Sequence, residues 1–331
     1  MPADFYSEFD SAVTVEAIAQ ALRLGGHTVS LVEANAALPA WLVAHPVDLV
    51  FNIAEGAAGA HRESHVPAIL ESLGIPFTGS GSVTLALALD KARTKQLLSY
   101  DGIPTPAWQL FERVDDALNS KLAFPLIVKP NREGSAKGIW RESVVRDEAE
   151  MRRQIRTILG QYRQPALVEE FIDGVELTVG VLGNEPPMAL PILEIDFSSC
   201  AKSGEFFYSW RMKEYQGDAA QGLAPTFHCP ARLDAAAARR IQALAVRAHQ
   251  ALGCRDVSRT DVRLRADGVP FLLEVNPLPG LDPAESNFPI MTTAAGLSYP
   301  AFINRLVEMA VVRSRGRALV QEPLLSSPAT P

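Results

Sequence analysis

Cysteine is scarce in this chain: Cys200, Cys229 and Cys254 are the only three in 331 residues. None stands at CxxC spacing, and an odd number cannot close a complete set of disulfides, so inert thiols and a reducing, cytoplasmic setting are expected. The N-terminus carries no basic-then-apolar leader, and no apolar run reaches about 18 residues, which speaks against secretion and membrane spanning. An excess of positive charge is missing too. Lys and Arg number 31 against 38 Asp and Glu, for a net charge of −7. Such a balance gives no global attraction to nucleic acid or to anionic membranes, and neither is expected as a partner. A small anionic substrate would have to be met by individual lysines and arginines.

What remains is 47% hydrophobic and 21% charged, the profile of a globular protein with two or three compact domains. Ser11 to Leu24 has helical apolar spacing and stops at Gly25-Gly26. Thr28 to Val32 and the run VDLVFNI (Val47 to Ile53) read as strands, Val66 to Leu73 as a helix stopped by Gly74, and Ile75 to Thr78 as a further strand. Strands alternating with helices imply a parallel α/β layer, although the chain opens almost directly into a loop and a helix, with Met1 to Tyr6 as the one place for a remnant first strand. A second unit carries a basic helix (Asp90 to Tyr100), a strand ending at Lys129, a glycine-containing loop, a helix near Asp147 to Leu159 and a hairpin. The expected division is 1–83, 84–183 and 184–317, followed by a Pro- and Ser-rich mobile tail over 318–331.

The strongest chemistry lies in SRTDVRLRADGVPFLLEVNPLPG, Ser258 to Gly280. Asp267-Gly268 is a two-residue hairpin signal. Counting outward sets Leu264 opposite Phe271, Asp261 opposite Glu274 and Arg259 opposite Asn276. Alternation then puts Arg259, Asp261, Glu274 and Asn276 on one face, with Val262, Leu264, Phe271 and Leu273 on a core face. Carboxylates directly across a ladder repel each other, and a divalent cation removes that penalty; an all-oxygen set suits Mg²⁺ beside nucleotide phosphates. The competing reading is a charged solvated face in which Arg259 neutralises the acids.

FPLIVK delivers Lys129 at a strand end, and PNREGSAKG follows, where Gly134 and Gly138 would let backbone N–H groups cradle phosphate. In ALVEEFIDGVELTVGVL, Asp173-Gly174 reads as a second hairpin turn that would put Glu169, Phe171, Glu176 and Thr178 on one face, suited to an adenine amino group and ribose hydroxyls. A flexible turn and a solvated hairpin face are the plain alternatives.

Taken in order, FTGSGSVTLALALDKARTK (Phe77 to Lys95), IVKPNREGSAKG (Ile127 to Gly138), VEEFIDGVELTVGVLG (Val168 to Gly183), FYSWRMK (Phe207 to Lys213) and SRTDVRLRADGVPFLLEVNPLPGL (Ser258 to Leu281) resemble the D-alanine–D-alanine ligase branch of the ATP-grasp superfamily, from about Phe51 to Ala310. The resemblance implies a three-domain α/β ATP-grasp fold: an N-terminal parallel α/β domain, then central and C-terminal α+β domains with ATP between them. It implies Lys91, Lys129 and Lys213 on the phosphates with Ser135 in the loop over them, Glu169 and Ile172 beside adenine, and Glu176 at the ribose. It implies two Mg²⁺ ions, replaceable by Mn²⁺, on Asp261, Glu274 and Asn276. Arg259 and the Gly280 N–H would serve the developing oxyanion, and Ser286 the carboxylate of a second substrate.

The sequence departs from that pattern where the first substrate would lie. Glu55-Gly56 replaces the family's His-Gly, Ala136 followed by Lys137 replaces the second loop serine, and Glu214 stands where a tyrosine is usual. Glu8 is the counterpart of the N-terminal glutamate. The expected activity is therefore an ADP-forming carbon–nitrogen ligase on an amino-acid-like substrate other than D-alanine. A housekeeping D-alanine ligase, a non-catalytic ATP-binding protein and a polyol kinase are the competing readings, and a homodimer is left open.

Overall fold

The structure is a computed structural model in which Asp4 and residues 7–318 are described. The expected tail beyond Ala318, and all of the Met1 to Tyr6 segment except Asp4, lie outside them. Helix α1 (Ala12–Leu24) starts where Ser11 accepts a hydrogen bond from the Thr14 N–H, an N-cap that satisfies one of the helix's unpaired donors. Helices α2 (Leu38–Ala44) and α3 (His65–Leu73) follow, and Gly74 ends α3 at φ +68°, the left-handed cap for which glycine is suited. Leu38, Leu42, Val66, Leu70 and Phe77 form the small core of this N-terminal part.

Its parallel layer is thinner than the sequence suggests. Only a single parallel bridge, Val50 to Phe77, is formed, and Thr28 to Val32 joins no ladder among the described residues, leaving Leu31 and Val32 exposed. Apolar runs become strands only where a neighbouring backbone offers its own N–H and C=O groups.

Helices α4 (Ser82–Leu89) and α5 (Lys91–Tyr100) lead into the first sheet, built from β1 (Trp108–Phe111), β2 (Leu126–Pro130) and β3 (Val144–Val145), then α6 (Glu148–Thr157) and β4 (Ala166–Glu170). The antiparallel order is β1-β4-β2-β3, and α6 covers one face through Met151 and Ile155. The second sheet contains β5 (Gly174–Leu182), β6 (Met188–Ala189), β7 (Leu193–Asp196), β8 (Thr226–His228), β9 (Val257–Arg265) and β10 (Pro270–Asn276), in the order β10-β9-β5-β7-β8 with β6 on β5. Between its strands come α7 (Trp210–Glu214) and α8 (Ala235–Ala251). Helices α9 (Asn287–Ala294) and α10 (Tyr299–Ala318) close the chain, with α10 packing on α1 through Ile18, Leu22, Phe302 and Leu306.

Two expectations are corrected here. Ala166 to Leu182 is not a hairpin: β4 pairs with β1 and β2, whereas β5 pairs with β9 and β7. Phe171 to Asp173 is the crossing between the two sheets, so β5, inside the span 84–183, is a strand of the second sheet. An Asp-Gly pair favours a reversal, but each strand here finds a longer partner elsewhere, and β5 runs the length of β9.

The Asp267-Gly268 turn is also not two residues long. Arg265 N–H donates to the Val269 carbonyl at 3.0 Å and Gly268 N–H to the Arg265 carbonyl at 2.8 Å, with Gly268 at φ +81°, which closes a three-residue loop with glycine in its left-handed position. Leu264 therefore faces Pro270 and Arg263 faces Phe271. A bulge between Leu272 and Glu274 absorbs the extra residue and restores Asp261 opposite Glu274 and Arg259 opposite Asn276. Leu272, not Phe271 or Leu273, enters the core.

Candidate active site

The two sheets face each other across a cleft of about 480 Å³. One wall is β2 and β4, the other β5, β9 and β10, and the phosphate loop, α5 and the residues after β10 close its ends. Alternation on β5 sends Leu177, Val179 and Val181 to α8 and leaves Glu176 and Thr178 for the cleft. The same period on β9 buries Val262 and exposes Arg259, Asp261 and Arg263 to the cleft. Every expected site residue lines this one space: Lys91, Lys129, Ser135, Glu169, Ile172, Glu176 and Lys213; Asp261, Glu274, Asn276 and Arg259; Gly280 and Ser286; Glu8, Glu55 and Glu214.

At the end nearest the first sheet, Glu169 is 2% exposed and lies between two lysines. Lys129 pairs with its Oε1 and Lys95 with its Oε2 at 2.9 Å. Burial alone would raise the Glu169 carboxyl, but the two ammonium groups outweigh it and hold it below the usual carboxylate range. Lys95 was not singled out by sequence; its signal was the Lys91/Lys95 spacing of four, which puts both on one face of α5. It is fully buried, donates also to Thr105 Oγ1 at 2.8 Å, and burial pushes its ammonium down to about 8. Across the cleft Glu176 accepts from Arg263 at 2.6 Å, and Ile172 is buried beside the sheet crossing.

The bulged hairpin supplies the next group. Arg259 grips Asp261 with two bonds, 3.0 and 2.8 Å. Thr178 Oγ1 donates to Asp261 at 2.6 Å, and the Asn276 amide reaches it at 3.1 Å. Glu274 pairs with Lys91 at 3.2 Å; burial opposes its ionisation, but Lys91, Lys129 and Arg259 hold it well below the usual carboxylate range. An all-oxygen set of Asp261, Glu274 and the Asn276 amide oxygen, reachable by an amide flip, fits a hard divalent cation beside phosphates. The bulge adds Leu273 to the cleft lining, which the two-residue turn had sent to the core.

The phosphate loop arches over this end. Ser135 and Ala136 lie at φ 51° and 57°, successive left-handed residues that cost on the order of 1–3 kcal/mol each. Gly138, at φ 72°, has no room for a side chain: a Cβ would come 2.4 Å from the Pro130 ring. Lys213, exposed at the mouth on α7, donates to Ser135 Oγ at 2.8 Å. Gly134 and Gly138, expected to point N–H groups at phosphate, donate instead to Glu8 at 2.6 Å and Asp4 at 2.7 Å. At the far end Ser286 Oγ accepts from the Asp282 N–H at 3.0 Å, and a Cβ on Gly280 would sit 2.9 Å from that hydroxyl.

Around the substrate departures the picture changes. Glu8 takes Arg62 at 2.6 Å and Lys137 at 3.2 Å. Burial disfavours the Glu8 charge, but Arg62 and Lys137 win and lower its pKa. Glu55 is pushed well above the usual range, by burial first and then by Glu63, Glu8 and Asp10. Glu214 is exposed at the mouth, and Tyr215 turns aside to pack edge-on against Trp210 at 6.2 Å. Arg62, Glu63 and Asp10 carried no motif signal, because their proximity comes from folding the N-terminal part against the phosphate loop.

Two antiparallel sheets clasping a cleft lined by lysines, paired carboxylates and a glycine-containing loop define an ATP-grasp enzyme. The family model described as "D-ala D-ala ligase C-terminus" matches residues 97–308. A D-alanine–D-alanine ligase of Pelotomaculum thermopropionicum is 34% identical over 311 residues, covering 91% of this chain and 92% of its own. The crystal structure of the Bacillus anthracis D-alanine–D-alanine ligase complexed with ATP superposes with a TM-score of 0.74 at 25% identity, over 93% of this chain and 97% of that one. The VanG D-Ala:D-Ser ligase of Enterococcus faecalis superposes with a TM-score of 0.67 at 31% identity, over 80% and 73%. The chain belongs to the D-alanine–D-alanine ligase family, and it is an ATP-dependent, ADP-forming carboxylate–amine ligase.

Proposed function

We propose that this ligase joins an amino-acid-like carboxylate to an amine other than the D-alanine pair, through an acyl phosphate. The observation that carries the proposal is the engagement of Glu8. Its carboxylate is taken by Arg62, Lys137 and the Gly134 N–H. Glu55, another acid at that end, is crowded by further carboxylates. A pocket so arranged is built for a charge distribution unlike that of a small zwitterion.

In this reading Lys91, Lys129 and Lys213 meet the ATP phosphates with Ser135 over them, Glu169 and Ile172 flank adenine, and Glu176 meets the ribose. Asp261, Glu274 and Asn276 would hold two Mg²⁺ ions, or Mn²⁺, whose charge would neutralise the transferring phosphoryl group. A substrate carboxylate oxygen attacks the γ-phosphorus, the bond to the bridging oxygen breaks, and ADP leaves. The amine then adds to the acyl carbon, inorganic phosphate departs, and the nitrogen loses its proton. Arg259 and the Gly280 N–H face the oxyanion of that second step, donors of a kind typically worth about 2.7–4 kcal/mol each. Ser286 binds the carboxylate of the second substrate, while Glu8, Glu55 and Glu214 border the first.

The D-alanine ligases among the relatives favour a second reading, a housekeeping D-alanine ligase. ADP release at saturating ATP, with D-alanine alone and then with a panel of amino acids and amines, decides between them. Slow turnover on D-alanine and faster turnover on another pair is expected; D-alanine as the best substrate in the panel would overturn the proposal.

A further inference from the structure

The substrate end of the cleft holds more negative charge than its own cations can balance. Glu55, Glu63 and Asp10 all line it. Glu63 is the most telling of them. It is 8% exposed and it lines the cleft, yet among the described residues it has neither a hydrogen bond nor an ion pair. Its chain neighbour Arg62 turns to Glu8 at 2.6 Å and Glu133 at 3.2 Å. Lys137 goes to the same two acids, at 3.2 and 2.6 Å. Farther along, Lys91 is engaged by Glu274 and Lys213 by Ser135. An acid so deeply buried, with the nearby Arg62 and Lys91 both committed to other acids, is costly unless something pairs with it.

We infer, on the basis of the ligase reading above, that this end accepts a first substrate carrying a positively charged group in addition to its reacting carboxylate and its α-amine, the side-chain ammonium or guanidinium seated on Glu55 and Glu63. Basic amino acids are the class that fits. A neutral amino acid brings one ammonium and a carboxylate of its own, so it adds no net positive charge to a pocket that lacks it. A second cationic group relieves the repulsion between Glu55 and Glu63 and pairs the buried carboxylate. Burial outweighs the nearby Arg62 and pushes Glu63 up to about 7, and burial together with Glu63, Glu8 and Asp10 pushes Glu55 well above the usual range.

The test measures binding and turnover separately. Lysine, ornithine and arginine, each as both enantiomers, are compared with alanine and serine. Calorimetry uses the full chain with Mg²⁺ and a non-hydrolysable ATP analogue, and ADP release gives turnover. Basic ligands should bind at least tenfold more tightly than neutral ones. Glu63→Gln should collapse that preference through KM, and Glu63→Asp should keep part of it. Neutral ligands binding as well as basic ones, or a preference that survives Glu63→Gln, would overturn the inference while ADP formation still upheld the ligase reading. Loss of one Mn²⁺ equivalent in Glu63→Gln, with no change in basic-ligand affinity, would make the cluster a metal site and overturn it too. Lack of ADP formation with every pair, together with ATP affinity unchanged in Lys129→Ala, would strike at the ligase reading itself.

Discussion

The nucleotide end and the substrate end of the cleft are built from the same residue types with opposite electrostatics. At the nucleotide end each buried acid has its cation: Glu169 has Lys95 and Lys129, Glu274 has Lys91, Asp261 has Arg259, and Glu176 has Arg263. At the substrate end Arg62 and Lys137 are both drawn to Glu8 and Glu133, and Glu55 and Glu63 are left facing each other. A balanced site is pre-organised for a ligand that arrives with its own metal. An unbalanced one is completed only by a ligand of the right charge, so the first kind of site serves a shared chemistry and the second selects a substrate.

The comparison breaks most visibly at Glu274. Replacing it with Gln keeps the shape but removes the charge proposed to face the metal and leaves Lys91 without its Glu274 partner. Turnover should fall at least a hundredfold while circular dichroism and the melting curve stay close to wild type; near-normal rates at moderate Mg²⁺ would remove Glu274 from the metal site. Lys129→Ala comes next. It strips Glu169 of one of its two ammonium groups, and the ATP dissociation constant should rise at least tenfold by calorimetry. An unchanged constant would show that the Lys95–Glu169–Lys129 chain holds the fold and not the nucleotide.

A smaller effect, opposite in sign, is expected at the unbalanced end. The folded Glu63 carboxyl titrates near 7, whereas an unfolded one titrates near its ordinary value of 4.5. Between those pH values the folded state holds a proton that the unfolded state has released, so stability falls as pH rises through the window and stays low above it. Glu63→Gln removes that loss. It should stabilise the ligand-free protein by about 1–3 kcal/mol at pH 8 and by less than about 1 kcal/mol at pH 5, by urea unfolding at both values. A variant equally or less stable at pH 8 would mean that Glu63 has a counter-charge after all.

The two ends also differ in how much of each could be read from sequence. Arg259, Asp261, Glu274 and Asn276 lie on two adjacent strands, and alternation alone brings them together. The register came out right at the site although the turn was one residue longer than expected, because the bulge at Leu273 cancels the extra residue. Two offsetting irregularities are invisible to counting from an Asp-Gly pair. Glu169 and Glu176 reached one cleft by a different route from the expected hairpin, since a strand pairs with whichever neighbour offers the longer ladder. Arg62, Glu63 and Asp10 come from segments brought together only by tertiary packing. No periodicity within any one of them marks the acid pocket, so the end that selects the substrate was the less legible one.

The smallest effect should come from Glu214, and it separates the wall of the pocket from its mouth. The residue replaces the family's usual tyrosine, and from sequence its added charge looked like a determinant of substrate choice. In the folded chain it is exposed at the rim of the cleft on α7. A charge in contact with solvent is screened over about 8–10 Å and is satisfied by water, so it exerts little leverage on a ligand seated deeper in. Glu63, buried and with no hydrogen bond or ion pair among the described residues, has little such screening. Glu214→Gln and Glu214→Tyr should therefore change kcat/KM for any active basic amino acid by less than about threefold, where Glu63→Gln changes it at least tenfold. Steady-state ADP release with a neutral and a basic amino acid, measured on both positions at 0.05 and 0.5 M salt, gives the comparison. A tenfold or greater change at Glu214, lost at the higher salt, would move the selecting charge to the mouth and make steering on entry, not pairing inside the pocket, the source of substrate choice.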